Sequence, residues 1–267
     1  MIRTSSRPSR SRKGLAIAIG AVAAATGAGV VIWAVRRQRR ALPGPQPSPQ
    51  LPSAGDGGAG SPERRPVLEI DGLKVYQYGS QLTWTDGDMS IDYDGAPNAY
   101  APAGFGAPLD RLANAGAPGK WWGIVTDERG QPLVQGPGEP YPGYYISTTS
   151  LTWPGKTRTE KYVDSTSISF VALPSVFKDL GARLGDLVLV EAPLTGRRRW
   201  AIWADVGPSK KLGEGSIKLA RELGIEASSS RRRGITFTLF LRSGDGRPHP
   251  EDEIQRRGDA LQSERVA

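Results

Sequence analysis

The chain contains no cysteine and a single histidine. Without cysteine there is no disulfide framework, no thiolate nucleophile and no cysteine metal site, so stability must come from packing. The one histidine, His249, falls in a polar C-terminal stretch. That removes a histidine metal cluster and a histidine-based catalytic triad. The Gly-rich segments lack the Lys-Ser/Thr ending of a phosphate loop. Apolar residues are scarce, at 38% of the chain, and residues 41–65 hold almost nothing that builds a core.

Charge of one sign is scarce only locally. Residues 1–65 hold 11 Lys/Arg against 2 Asp/Glu, whereas residues 66–267 hold 24 against 25. The formal charge of +8 therefore belongs to the N-terminal segment. Bulk charge gives the rest of the chain no reason to bind nucleic acid or another polyanion.

Gly14–Val35 is a 22-residue stretch without charge, between basic flanks at residues 1–13 and 36–40. At about 1.5 Å per residue it spans roughly 33 Å, enough for a hydrocarbon core of about 30 Å. It predicts a transmembrane helix over 14–35 with the lipid bilayer as partner. A cleaved signal with a small-residue site near Ala23–Ala25 is the alternative. The basic flanks, five residues against four, leave the orientation of such a helix nearly undecided; the folded part is expected outside the cytoplasm, membrane-anchored or secreted, on the function that its own segments imply. Residues 36–65 are basic and then rich in Pro and Gly, the composition of a spacer. A folded domain is expected over 66–245 and a polar, mobile tail over 246–267.

From Val67 onward, short runs rich in Val, Ile, Tyr, Trp and Thr alternate with Gly, Pro and Asp turns. They predict strands at Lys74–Tyr78, Trp121–Thr126, Gly143–Ser147, Ser169–Ala172, Leu187–Glu191, Arg199–Asp205 and Ile235–Leu241. Short helices are expected at Ser175–Leu180 and Gly215–Leu223, the latter with Ile217, Leu219, Ala220 and Leu223 on one face and Gly224 as its stop. Strands and helices do not alternate regularly, so a small barrel fits better than a doubly wound sheet.

Two segments resemble the family-75 chitosanases: GDMSIDYDG over Gly87–Gly95, and AIWADVGPSKKLGEGSIKLA over Ala201–Ala220. Tyr144–Leu151 and Lys161–Pro174 are similar to further segments of that family, so the resemblance covers roughly residues 70–241. Tyr93 stands where fungal members carry cysteine, and the turn DVGP is less polar than theirs. A broader likeness is to double-psi barrels of lytic transglycosylases and wall-binding domains, with Gly185–Asp186 opening the pattern and Asp205, Gly207 and Pro208 closing it. The resemblance implies a mainly β domain, a six-stranded double-psi β-barrel with short helices, preceded by the transmembrane helix. It implies inverting, endo-acting hydrolysis of β-1,4 linkages in chitosan by a monomer, without cofactor or metal. A peptidoglycan lytic enzyme or a non-catalytic wall-binding barrel is the alternative.

Such hydrolysis needs two carboxyl groups across the bond. Asp205 and Glu214 are the expected catalytic pair. Asp205 follows the apolar run Ala201–Ala204, where desolvation suits an acid, and Glu214 lies in a Gly-rich turn that suits a base; the reverse assignment stays open. Each also has a structural reading, Asp205 as a turn residue and Glu214 as a helix N-terminal glutamate. Asp86, Asp88, Asp92 and Asp94 crowd into nine residues. They are candidates to bind substrate ammonium groups, with a calcium loop or a solvated turn as rivals and a core-facing Asp92 as another. Trp121, Trp122, Tyr144 and Tyr145 are candidate sugar contacts, one of each pair facing the cleft. Asp164 completes the candidate substrate-binding set.

Overall fold

The computed structural model describes residues 65–225 and 232–264, without the side chains of Arg65, Asp86, Asp88, Arg232 and Arg233. Strands β1 (Arg65–Ile70) and β2 (Leu73–Tyr78) form a hairpin. Its turn, Asp71-Gly72, has φ of 53° and 76°, the left-handed pair that a two-residue hairpin demands. The chain continues through β3 (Gln81–Asp92), β4 (Gly116–Ala117), β5 (Lys120–Trp121), β6 (Phe170–Leu173) and β7 (Leu187–Ala192). Then come β8 (Arg197–Val206), β9 (Glu214–Ser216), helix α1 (Ile217–Glu222), β10 (Arg232–Phe240) and helix α2 (Glu251–Ser263).

Eight strands form one mixed sheet in the order β1-β2-β3-β10-β7-β8-β6-β9, coiled far enough that β9 also pairs with β3. The remaining two, β4 and β5, pair only with each other. This corrects the expected six-stranded double-psi barrel with a preceding transmembrane helix. The β1–β2 hairpin extends the sheet past β3 and leaves an edge at β1. The spans predicted at Trp121–Thr126 and Gly143–Ser147 contribute only β5 and isolated bridges.

Among the described residues no helix is long and apolar enough to cross a membrane. The bilayer partner and the membrane-anchored localisation are corrected on that finding; residues 14–35, on which they rested, lie outside the described residues.

Parity within β3 decides what reaches the functional face. Leu82 and Trp84 are buried, and then Gly87 and Met89. The inward phase moves from even to odd positions because β3 takes three steps from Trp84 to Gly87 while β10 takes two from Phe237 to Ile235. That extra residue is a β-bulge, which flips every later side chain to the other face. Met89 thus enters the core, Ile91 packs against it, and Ser90 and Asp92 face outward over a cleft.

The core on the inner side is aromatic. Trp84 stacks on Phe237 at 5.0 Å and meets Phe177 edge-on at 5.4 Å. A second apolar cluster, with Phe170, Trp200, Ile202 and Phe240, is closed by Ile254 of α2. Residues 251–263, expected as part of a mobile tail, are therefore an ordered helix laid on the sheet. Gly258 makes the close approach possible, since a Cβ there would stand 2.1 Å from the Trp200 ring. Gly185-Asp186 has a structural role, because the buried Asp186 carboxylate accepts N–H groups of Arg183, Arg242 and Gly244 at 3.0–3.1 Å.

Candidate functional site

Strands β3, β8 and β9 deliver Asp92, Asp205 and Glu214, with β6 between β8 and β9. Ala172 of β6 pairs with Asp205 of β8 on one side and with Glu214 of β9 on the other. Glu214 in turn pairs with Ser90 of β3, two residues before Asp92. The β6–β8 ladder slips by one residue, because Val171 opposes Trp203 and Ala172 opposes Asp205. Ala204 is the extra residue. The slip lets the apolar run bury Ile202, Trp203 and Ala204 while Asp205 turns toward the cleft.

The sequence GEGS has a reason at each position. Gly213 has φ +91°, which a side chain would strain, and its carbonyl accepts the Ser90 N–H at 2.8 Å. Gly215 passes over Met89, whose Cε would lie 2.5 Å from an added Cβ. Ser216 is fully buried and caps α1 by accepting the Leu219 N–H at 3.2 Å. These contacts hold Glu214 in its place.

The resulting cleft has a volume of about 820 Å³ and holds Asp92, Asp94, Asp110, Asp205 and Glu214. Among the described lining residues Lys211 is the one cation, and it forms a 2.5 Å salt bridge with Glu214. Asp205 Oδ1 accepts the Ser150 N–H at 2.8 Å, the Ser150 hydroxyl at 2.6 Å and the Val206 N–H at 2.8 Å. These bonds favour its charged form, but burial outweighs them, and with Glu214's charge raises the Asp205 carboxyl above the ordinary range.

Asp92 Oδ1 accepts the Asp94 N–H at 2.8 Å. Burial and then the charges of Asp94, Asp205 and Glu214 hold the Asp92 carboxyl well above its usual value. Asp94 is likewise raised, by burial and Asp205, although the Tyr100 hydroxyl donates to it at 2.6 Å. Burial and the same Asp94 carboxylate push the Tyr100 phenol upward in turn. Carboxylate oxygens of Asp92, Asp94 and Asp205 lie within 4.8 Å of one another. That spacing permits two uses: sharing protons, or meeting a hard cation.

The cleft thus brings together Asp92, Asp94, Trp122, Asp205 and Glu214 from the sequence-predicted set. Trp122 is 61% exposed, with its indole N–H tied to the Asn114 carbonyl at 2.8 Å. Trp121 and Tyr145 instead pack against the small cluster of Ala96, Ala99, Tyr100, Ala115 and Ile124. Tyr144 lies in a separate aromatic group with Phe105 and Tyr141. Asp164 accepts the Thr166 N–H and hydroxyl, both at 2.8 Å, and serves a turn. Asp86 and Asp88 sit on β3, but their side chains lie outside the described residues.

Sequence reasoning missed Tyr100, Asp110, Asn114, Ser150 and Lys211. Tyr100–Asn114 belongs to a Pro- and Gly-rich excursion without periodicity, so nothing in its pattern marks a cleft wall. Lys211 carried one signal, its i,i+3 spacing to Glu214. The chain matches no known protein family, and no curated protein matches it.

Proposed function

We propose that this domain is an endo-acting glycoside hydrolase that cleaves β-1,4 linkages of chitosan, or of a related glucosamine-containing polymer, with inversion. The observation that carries the reading is the placement of Asp205 and Glu214 on either side of Ala172 on one cleft wall. Two strand spacings put their backbones roughly 9–10 Å apart. Carboxyl groups of inverting enzymes stand about 6.5–9.5 Å apart, leaving room for a water.

In this reading Asp205 is the acid. Its proton passes to the glycosidic oxygen as the C1–O bond breaks. Ser150 and Val206 hold Oδ1 and leave Oδ2 to present that proton. Glu214, fixed by Lys211, takes a proton from a water that attacks C1 from the opposite face. Water oxygen becomes the new anomeric hydroxyl, and the configuration inverts. The surplus of carboxylates over cations in the cleft favours a substrate bearing ammonium groups through charge-assisted hydrogen bonds. The exposed, tethered Trp122 offers a sugar face a rigid partner.

Incubation of the full chain with chitosan, chitin and peptidoglycan, with product masses read, tests the proposal. The expected result is ordinary reducing-end oligomers from chitosan. Anhydro-muramyl products from peptidoglycan would give the site to a lytic transglycosylase, and no products from any polymer would overturn hydrolysis.

A further inference from the structure

A second cavity, about 520 Å³, adjoins the cleft and shares Tyr93 and Asp110 with it. Its outer wall is the loop Pro102–Gly106, which carries Phe105 at 43% exposure. An exposed phenyl ring on a surface loop is normally free to move. This one is held by its loop and by two contacts to the ring. The Phe105 N–H donates to the Pro102 carbonyl at 2.9 Å. Its ring meets Tyr144 edge-on at 5.5 Å. It also rests on the bare backbone of Gly143, where a Cβ would stand 2.4 Å from Phe105 Cζ. The partner ring is fixed as well, since Tyr144 accepts the Ala107 N–H at 2.8 Å and a Cβ on Gly106 would lie 2.2 Å from its hydroxyl.

The loop is thus built to immobilise an aromatic ring without burying it. That geometry gains little for the core and much for a ligand, because a pre-ordered platform loses no side-chain entropy on binding. A pyranose ring stacks its C–H face on such a surface.

Charge separates the two cavities. The main cleft sets five carboxyl groups, Asp205 among them as the protonated acid, against Lys211. In the second cavity the described charged residues are Asp110, on the shared border, and Arg111. Asp110 Oδ1 already accepts the Arg111 N–H and the Asn114 amide, each at 2.8 Å. An ammonium-bearing sugar is matched to the main cleft; beyond it Asp110 and Arg111 balance each other, so the described charges there select no ammonium group.

We infer that the second cavity is an outlying polymer subsite that takes a neutral, N-acetylated hexosamine unit, with Phe105 as its stacking platform. The inference rests on the hydrolase reading above, and continuity through Tyr93 and Asp110 makes one polymer chain the occupant of both cavities.

The test uses the full chain on defined glucosamine oligomers: a tetramer, a fully deacetylated octamer, and octamers carrying one N-acetyl group at either end. Wild type should show its lowest KM on one of the end-acetylated octamers. Phe105→Ala should raise that KM by about three- to tenfold, the range of an aromatic contact, and leave kcat and tetramer cleavage unchanged. Phe105→Trp should keep the low KM. Arg111→Gln, at an exposed position, should erase the preference for the acetylated octamer; this variant decides the matter alone if Phe105→Ala does not fold. An unchanged octamer KM in folded Phe105→Ala, or equal losses on tetramer and octamer, overturns the subsite. Tetramer cleavage without any octamer preference in wild type removes the subsite and leaves the hydrolase standing. No cleavage of any oligomer overturns both.

Discussion

Gly207 and Glu214 are fitted to each other: a Cβ on Gly207 would lie 2.9 Å from Glu214 Oε2. The glycine's φ is not in the left-handed region, so the backbone itself accepts alanine. What an alanine disturbs is the far end of a flexible side chain, which can move at small cost to stability. Gly207→Ala should therefore keep the melting temperature within about 2 °C, less than 1 kcal/mol for a domain of this size. It should lower kcat by at least about tenfold, since misplacing a reacting group by 1 Å costs up to about 100-fold. Steady-state kinetics beside a thermal melt checks both halves. Full activity in the folded variant would remove Glu214 from the chemistry.

Asp205→Asn and Glu214→Gln should each retain the fold and lower turnover on chitosan by at least about 100-fold, the low end of acid–base catalysis. The roles separate on a substrate whose leaving group needs no protonation. Only Asp205→Asn should recover there. Recovery by Glu214→Gln instead would exchange acid and base.

Asp92 costs the fold stability at neutral pH. Its folded-state carboxyl is raised above the unfolded value of about 3.9. Between those two values the native state binds more protons than the unfolded state, so stability falls as pH rises through that window. Below about pH 4 both states are protonated and the penalty vanishes. Asp92→Asn can still accept the Asp94 N–H. It should raise the melting temperature at pH 7 by about 2–4 °C, roughly 1 kcal/mol, with no gain near pH 3. Melts across pH 3–8 measure the crossing. A lower melting temperature at pH 7, together with a calcium-dependent rise in wild type, would give Asp92, Asp94 and Asp205 to a hard cation.

Ile254 of α2 is fully buried against the second cluster. Ile254→Ala should cost about 2–4 kcal/mol through lost burial and the cavity left behind. Removing residues 246–267 should destabilise further, by uncovering Trp200, whose indole N–H donates to Asp259 at 3.1 Å. Denaturant unfolding of both chains checks this. An unchanged midpoint after truncation would return the segment to the mobile tail that its composition suggests.

The sequence by itself determined a good deal. Short runs of β-branched and aromatic residues between Gly, Pro and Asp turns marked β2, β6, β7, β8 and β10; β6, β7 and the middle of β8 are buried along their length and read as continuous apolar runs. Gly224 with an apolar stripe marked α1. The absence of cysteine and the single histidine, His249, removed thiolate, cysteine-metal and histidine-cluster chemistry. Asp205 and Glu214 were singled out as a pair on the resemblance to the family-75 chitosanases.

Tertiary structure decided the rest, and the reasons are physical. A bulge adds one residue without any local signature, so nothing in QLTWTDGDMSID says that Asp92 faces the cleft while Met89 enters the core. The β10 register alone sets that parity. β9 is three residues long and is held between β3 and β6, too short to leave a periodic trace. α2 is charged at six of its thirteen positions, and a single buried isoleucine and a glycine facing Trp200 fix it in place. Asp92 and Asp94 are near neighbours in the chain, but Asp205 reaches them from β8, far along it. The burial that raises all three carboxyls, and the neighbouring charges that add to it, exist only once the sheet has formed.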